Sequence, residues 1–328
     1  MMKRIILYVL LAFPLFIQSC LREQTAMCES WLLLRFRYTL NNQYTNLFGN
    51  NIHKVTVYVF DDEGKYVNTF SEQGEHLTND YVMRIPLSEG KYSVVAYGGD
   101  FTAFSTGELS GQGNTLSGTL RKGLTDLNDF RTELKNTGGE GDYLYPSLVP
   151  DDFYAGFVTD AVAMVGNQKV MEVELMKDTK QVIVRITNTT PVTVQSVYAA
   201  AQPFDVSIMA LNGRYLADNN VDLNHGTFKY TPVNMIAGTD FVEAELKIMR
   251  LMLGQVSRLV IKNSLTSEVI YNENMIDQIL LNPKYKTQTD FDREDRFIFE
   301  IGIQTDGNHV RISVVINGWK INHIIPDN

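Results

Sequence analysis

The chain has 328 residues, 44% of them apolar and 20% charged, with a formal net charge of −9 at pH 7. That length supports two domains of roughly 150 residues, each able to bury a core, and the acidic balance disfavours nucleic acid and other polyanions as partners. The only two cysteines, Cys20 and Cys28, lack the nearby second pair or histidines that a structural zinc site needs.

At the N-terminus, Lys3 and Arg4 precede an apolar run, residues 5–17, broken only by Pro14, and Ile17-Gln18-Ser19-Cys20 follows at once. This is the layout of a secretory signal. The run is too short for a spanning helix, which needs about 20 apolar residues. A cysteine directly after a small residue resembles the bacterial lipobox, with Ile17 at the usual leucine position, Gln18 at a tolerant one and Ser19 as the small residue. The expectation is a leader over residues 1–19, cleavage before Cys20 and acylation of its thiol. Several acyl chains, at about 0.8 kcal/mol per buried methylene, hold a protein on a membrane without spanning it. Losing Lys3 and Arg4 takes the net charge from −9 to −11. An acylated Cys20 leaves Cys28 no intramolecular disulfide partner, and residues 20–30 read as a lipidated tether.

Beyond the tether, period-2 alternation dominates. Residues 31–38 form a first strand, and residues 53–60 (HKVTVYVF) a second, apolar enough on both faces for a sheet interior. Asp61-Asp62-Glu63-Gly64 closes a hairpin onto residues 65–70. Residues 81–87 and 91–97 read as a further hairpin turned by Pro86 and Gly90. Residues 98–150, rich in Gly, Asn, Thr and Ser, read as long connections around one or two short strands. Strand character resumes at 153–158 and 168–175. A polar interruption, MKDTK, then places a domain boundary near residue 177, giving an N-terminal domain over 31–176 and a C-terminal one over 177–328.

In the second half, strands are expected at 181–187, 192–199, 205–210, 227–230, 241–251, 255–262, 267–271, 297–303 and 309–319. Turns fall at Asn212-Gly213 and Asn224-His225-Gly226. Residues 274–281 are the one helical segment, stopped by Pro283. Strands every 8 to 15 residues argue for sandwiches. The fold class is all-β, in two β-sandwich domains.

No catalytic signature is present: no GxSxG, HExxH, P-loop or dinucleotide fingerprint. No catalytic, metal-binding or cofactor-binding residue is assigned, and no small-molecule ligand is selected. His53, His76, His225, His309 and His323 are scattered and read as surface or edge residues. Residues 61–64 and 290–295 (DFDRED) are acidic clusters that lack the spacing of a calcium loop and read as solvated turns. Tyr143, Tyr145, Phe153, Tyr154 and Phe157 are bunched, and such a cluster could stack on sugar rings or simply pack in strands.

Several stretches together resemble the FimB-type fimbrial anchor family of Bacteroidetes, the fimbrillin-A-associated anchor proteins. They are SCLREQTAMCESWLLLRFRYTLN, VTVYVFDDEGKYV, LSEGKYSVVAYGG, DDFYAGF, LMKDTKQVIVRITN and ISVVINGW, in that order along nearly the whole chain. The resemblance implies two transthyretin-like sandwiches and no enzyme activity. It also implies a place at the base of a fimbrium, surface-exposed on the outer membrane, with Cys20 as the lipid attachment site. The implied partners are the membrane, through Cys20, and a fimbrial shaft subunit joined by β-strand addition. The chain stops nine residues after Trp319, which suits an acceptor of a donated strand better than a donor. A surface glycan-binding lipoprotein using the aromatic cluster is the alternative reading.

Overall fold

The computed structural model describes residues 30–110, 115–140, 142–166, 169–188, 204–238, 240–306 and 309–321. Trp31–Arg37 alternates outward residues with Leu32, Leu34 and Phe36, all fully buried, because successive side chains leave a strand on opposite faces. It is the centre of a three-stranded sheet, parallel to Val170–Glu174 on one side and antiparallel to Val82–Pro86 on the other.

Lys54–Phe60 lies between Tyr66–Gln73 and Gly90–Gly98 in a five-stranded sheet completed by Tyr154–Ala163 and Met176–Lys177. Its apolar character on both faces has a plain cause. Val55, Val57 and Val59, with Val94 and Ala96, pack on Leu32, Leu34 and Phe36 of the first sheet. Tyr58, Phe60, Val95 and Tyr97 point the other way, into a core shared with Phe104 and Phe130. Those two belong to a third layer, the four-stranded sheet ordered Arg214–Leu216, Phe130–Leu134, Phe104–Leu109, Leu116–Ser117. The five-stranded sheet is therefore the middle of three layers.

The second half is a sandwich of two six-stranded sheets. In one, Thr179–Asn188 runs antiparallel to Phe241–Met249 and parallel to Arg296–Asp306; Asn234–Ala237, His309–Ile316 and Trp319–Ile321 complete it. The other is ordered Val269–Asn274, Ser257–Asn263, Phe204–Ala210, Thr227–Tyr230, Tyr143–Pro146, Asn136–Glu140. Val182, Val184, Ile186, Phe297 and Phe299 from the first sheet share a core with Val206, Ile208, Phe228 and Leu259 from the second. The expected helix is present as Met275–Leu280, with the Asn274 side chain capping Ile276 N–H.

Several expectations are corrected. Val82–Pro86 and Gly90–Gly98 do not pair with each other: the first joins Trp31–Arg37 and the second joins Lys54–Phe60. The link between them crosses from one packed sheet to the other, since Ile85 and Val94 lie in the same core. Residues 98–150 hold five described strands rather than one or two, because short Gly- and Thr-bearing strands lack an alternating apolar face. The two halves also exchange strands: Tyr143–Pro146 pairs with Thr227–Tyr230, and Arg214–Leu216 with Phe130–Leu134. The last expected strand turns at Asn317-Gly318, both at positive φ, so that Trp319 pairs back on Ile316. The strand expected at 192–199 lies outside the described residues.

The first and middle sheets meet closely at Gly156 of Tyr154–Ala163, where an added Cβ would stand 2.5 Å from the Glu174 carbonyl and 3.0 Å from Val173 Cγ1. Gly156→Ala is expected to cost about 2 kcal/mol, read as a lowered Tm. An unchanged Tm would contradict the packing.

Candidate functional site

The first strand delivers residues 38–44 to the second half of the chain, and polar contacts fasten them there. The buried Tyr38 donates its hydroxyl to Asp295 at 3.2 Å. Arg293 donates to the carbonyls of Thr39 and Asn41 at 3.0 and 3.2 Å and stacks on Tyr44 at 4.6 Å. Asn42 donates to Glu294 at 2.6 Å. The acidic stretch 290–295 is thus no solvated turn. Most of it forms the short helix Gln288–Arg293, opened by a Thr287–Asp290 capping box, with Asp292 and Glu294 buried. Its alternation with Phe291 and Phe297, both in the core, was the signal available in the sequence.

Behind these contacts is a buried charge network. Arg250 grips Asp292 with two bonds, 2.6 and 2.7 Å, and donates to the Asn219 carbonyl at 3.2 Å. Lys180 donates to the Asp292 carbonyl at 2.7 Å and lies 3.8 Å from Asp295. Asp178 accepts from Asn219 at 3.2 Å, while its other oxygen has no donor among the described residues. Burial pushes the Asp178 carboxyl up to about 7, against the pull of Arg250, Asn219 and Lys180. Burial likewise moves Lys180 below the ordinary lysine range. Burial would raise Glu294, but hydrogen bonds from Lys284, Tyr285 and Asn42 outweigh it and hold it low. Beside the network is a cleft of about 320 Å³, lined by Asp152, Lys177, Lys180, Lys247, Asp295 and Arg296.

A second polar cluster ties the exchanged strands. Arg214 donates to Glu133 at 2.8 and 2.6 Å, Arg131 to Asp222 at 3.0 Å, and His225 sits 3.3 Å from Glu133, stacked on Phe228. His225 is therefore no surface residue: its side chain is 5% exposed. Burial first, then the Arg214 charge, lowers it to about 4. His53 and His76 are exposed as expected, and His323 lies outside the described residues. Asp61 does act as a turn former, accepting from the backbone N–H groups of Glu63 and Lys65.

The aromatic bunch does not form one surface. Phe153 is buried on Tyr97 and Phe104, and Tyr154 on Tyr38, whereas Tyr143 is exposed and Tyr145 lies under Lys229. Tyr143 instead edges a groove of about 660 Å³ with Asp205, Ser207, Lys229, Thr231 and Asn234. Among the described residues, no group of three or more His, Cys, Asp or Glu could hold a metal ion, and no helix is long and apolar enough to cross a membrane. Cys20 and Cys28 lie outside the described residues. Ser30, the first described residue, donates its hydroxyl to the Leu87 carbonyl, and Trp31 exchanges backbone bonds with Met164.

Among the described residues, the outer side of Val269–Asn274 carries no partner, and Trp319–Ile321 covers only Val314 to Ile316 of the strand His309–Ile316. Trp31–Arg37, by contrast, is paired on both sides.

The model of the fimbrillin-A associated anchor proteins Mfa1 and Mfa2 matches residues 25–325. Among solved structures, a candidate adhesin of Bacteroides thetaiotaomicron superposes with a TM-score of 0.70 at 25% identity, covering 90% of this chain and 98% of that one. A candidate polysaccharide-binding protein of the same species gives 0.70 at 24% identity, over 91% and 99%. The fimbrial anchor protein Mfa2 of Porphyromonas gingivalis gives 0.68 at 16% identity, over 90% and 99%. These last two likenesses concern the fold alone. No curated protein matches.

The raised Asp178 carboxyl gives a pH test. A carboxyl whose folded value exceeds its unfolded one favours folding when protonated, so its contribution falls as pH rises from about 4 to about 7. Asp178→Asn, which cannot ionise, is expected to gain about 2 kcal/mol over the native chain at pH 8 and much less at pH 5. Equal effects at both pH values would contradict the burial of an ionising group there.

Proposed function

Because the chain belongs to the fimbrillin-A-associated anchor family, we propose that it is the lipid-anchored base of a fimbrium at the outer membrane. The observation that carries this reading is the family match over residues 25–325, beginning five residues after the lipobox Cys20. Acylated Cys20 holds the chain on the membrane, residues 20–30 form the tether, and the fold presents itself on the cell surface. Two transthyretin-like sandwich units change over near Lys177.

The partner is a shaft subunit that adds a strand to an open sheet edge. The chain's own Trp31–Arg37 already fills the centre of the first sheet, so an incoming strand uses an outer edge such as that of Val269–Asn274. No catalysis is part of this role. The glycan-binding alternative loses its aromatic platform, since Phe153 and Tyr154 are core residues.

Two experiments separate the parts of the proposal. Cys20→Ala should abolish labelling by a palmitate analogue and move the protein out of the membrane fraction; a variant that stays labelled contradicts lipid attachment at Cys20. Deleting the gene should shed fimbriae into the medium or change their length, and normal attachment and length without the protein would sink the anchor role.

A further inference from the structure

A tether that holds a fimbrium is pulled from both ends, and the topology determines which bonds resist. On the anchor reading, the tether of residues 20–30 leads directly in sequence into Trp31–Arg37. The far end of that strand is where Tyr38, Thr39, Asn41 and Asn42 bond to the second half. Val170–Glu174 lies parallel to it over five residue pairs, Leu33 with Val170 through Arg37 with Glu174. This second strand also leads to the second half, through Met176–Lys177 and into Thr179–Asn188.

We propose that the parallel pair of Trp31–Arg37 and Val170–Glu174 is a force-bearing clamp, loaded in shear whenever the tether and the second half are pulled apart. The first strand is drawn from its N-terminal end and the second from its C-terminal end. In a parallel pair those are opposite ends, so tension runs along the strands and across the bonds that join them. All the bonds are strained together, and none opens first. A pull on the same end of both strands would instead open them one after another.

Side chains reinforce the pair at its loaded end. Arg37 meets Glu172 at 3.0 Å, and the Thr39 N–H and hydroxyl both donate to Glu174 at 2.6 Å. The Leu175 N–H donates to the Arg37 carbonyl at 2.7 Å, extending the ladder towards the seam. On the other side, Val82–Pro86 pairs with Trp31 through Arg35, so the strand is held along both edges. Beneath it Leu32, Leu34, Phe36 and Val173 are fully buried, and sliding by one residue would turn all of them outward.

The clamp rests on the anchor reading only for the direction of load in the cell, and its test needs no fimbria. The chain from residue 20 onward, with Cys20→Ser, carries one handle on the native Cys28 thiol. The second handle is placed on the exposed loop of the second half by Glu268→Cys or, in the control geometry, beside the start of the second clamp strand by Lys169→Cys. Single-molecule pulling should give a rupture force severalfold higher through Glu268 than through Lys169, and Val173→Ala should lower the first. Equal forces in the two geometries would overturn the proposal, and that comparison stands even if Val173→Ala does not fold. A chain that passes while its deletion leaves fimbriae attached would keep the clamp and lose the anchor reading.

Discussion

The parallel pairing of Trp31–Arg37 with Val170–Glu174 is the constraint on which the first half depends. It brings together residues such as Arg37 and Glu172 that stand 135 positions apart. A parallel neighbour cannot be reached by a tight turn, so the intervening chain must cross over. It does so as four of the five strands of the middle sheet and three of the four strands of the third layer. Loop closure of that length costs entropy that only a buried face returns. Leu32, Leu34 and Phe36 against Val55, Val57 and Val59 supply that face. Truncating one such aromatic typically costs about 3–5 kcal/mol.

The join between the halves is of a different kind. It combines an apolar core to which both halves contribute with a polar network that buries Asp178, Lys180, Arg250 and Asp292 among bonds that leave one Asp178 oxygen without a donor among the described residues. Buried ions add little net stability, because their desolvation roughly cancels their attraction. Their geometric demand is strict, however, and the two bonds from Arg250 to Asp292 admit one orientation of the short helix that also carries Arg293 and Glu294 to residues 39–42. The exchange of Tyr143–Pro146 and Arg214–Leu216 between the halves adds backbone bonds to that join. Under the proposed load, tension reaching Trp31–Arg37 therefore meets two halves joined by backbone pairing as well as by side chains.

Much of the fold was legible wherever burial leaves a periodic trace. Residues 31–38 and 53–60 declare their strands, and 274–281 its helix, because each presents a face of regular period. What was not legible is which strands become neighbours: Val82–Pro86 and Gly90–Gly98 look like a hairpin, yet they face each other across a core. The short strands at Phe104–Leu109 and Phe130–Leu134 hide because Thr, Ser and Gly interrupt their apolar face. The acidic run at 290–295 misled because charge in a sequence suggests solvent, and its cationic partners Arg250 and Lys284 lie far off or out of pattern. His225 misled for the same reason, since Glu133, Arg214 and Phe228 come together only in the folded seam. The lipobox expected at Cys20 rests on a local motif outside the described residues, and labelling of the Cys20→Ala variant is its test.

The central claim is a position in space, at the membrane end of a fimbrium. Immunogold electron microscopy of fimbriae released with attached membrane, using antibody to an exposed part of the second half, measures it directly. The account predicts one gold particle per fimbria, at the junction with the membrane. Label along the shaft, at the distal tip, or on membrane without regard to fimbriae would contradict it.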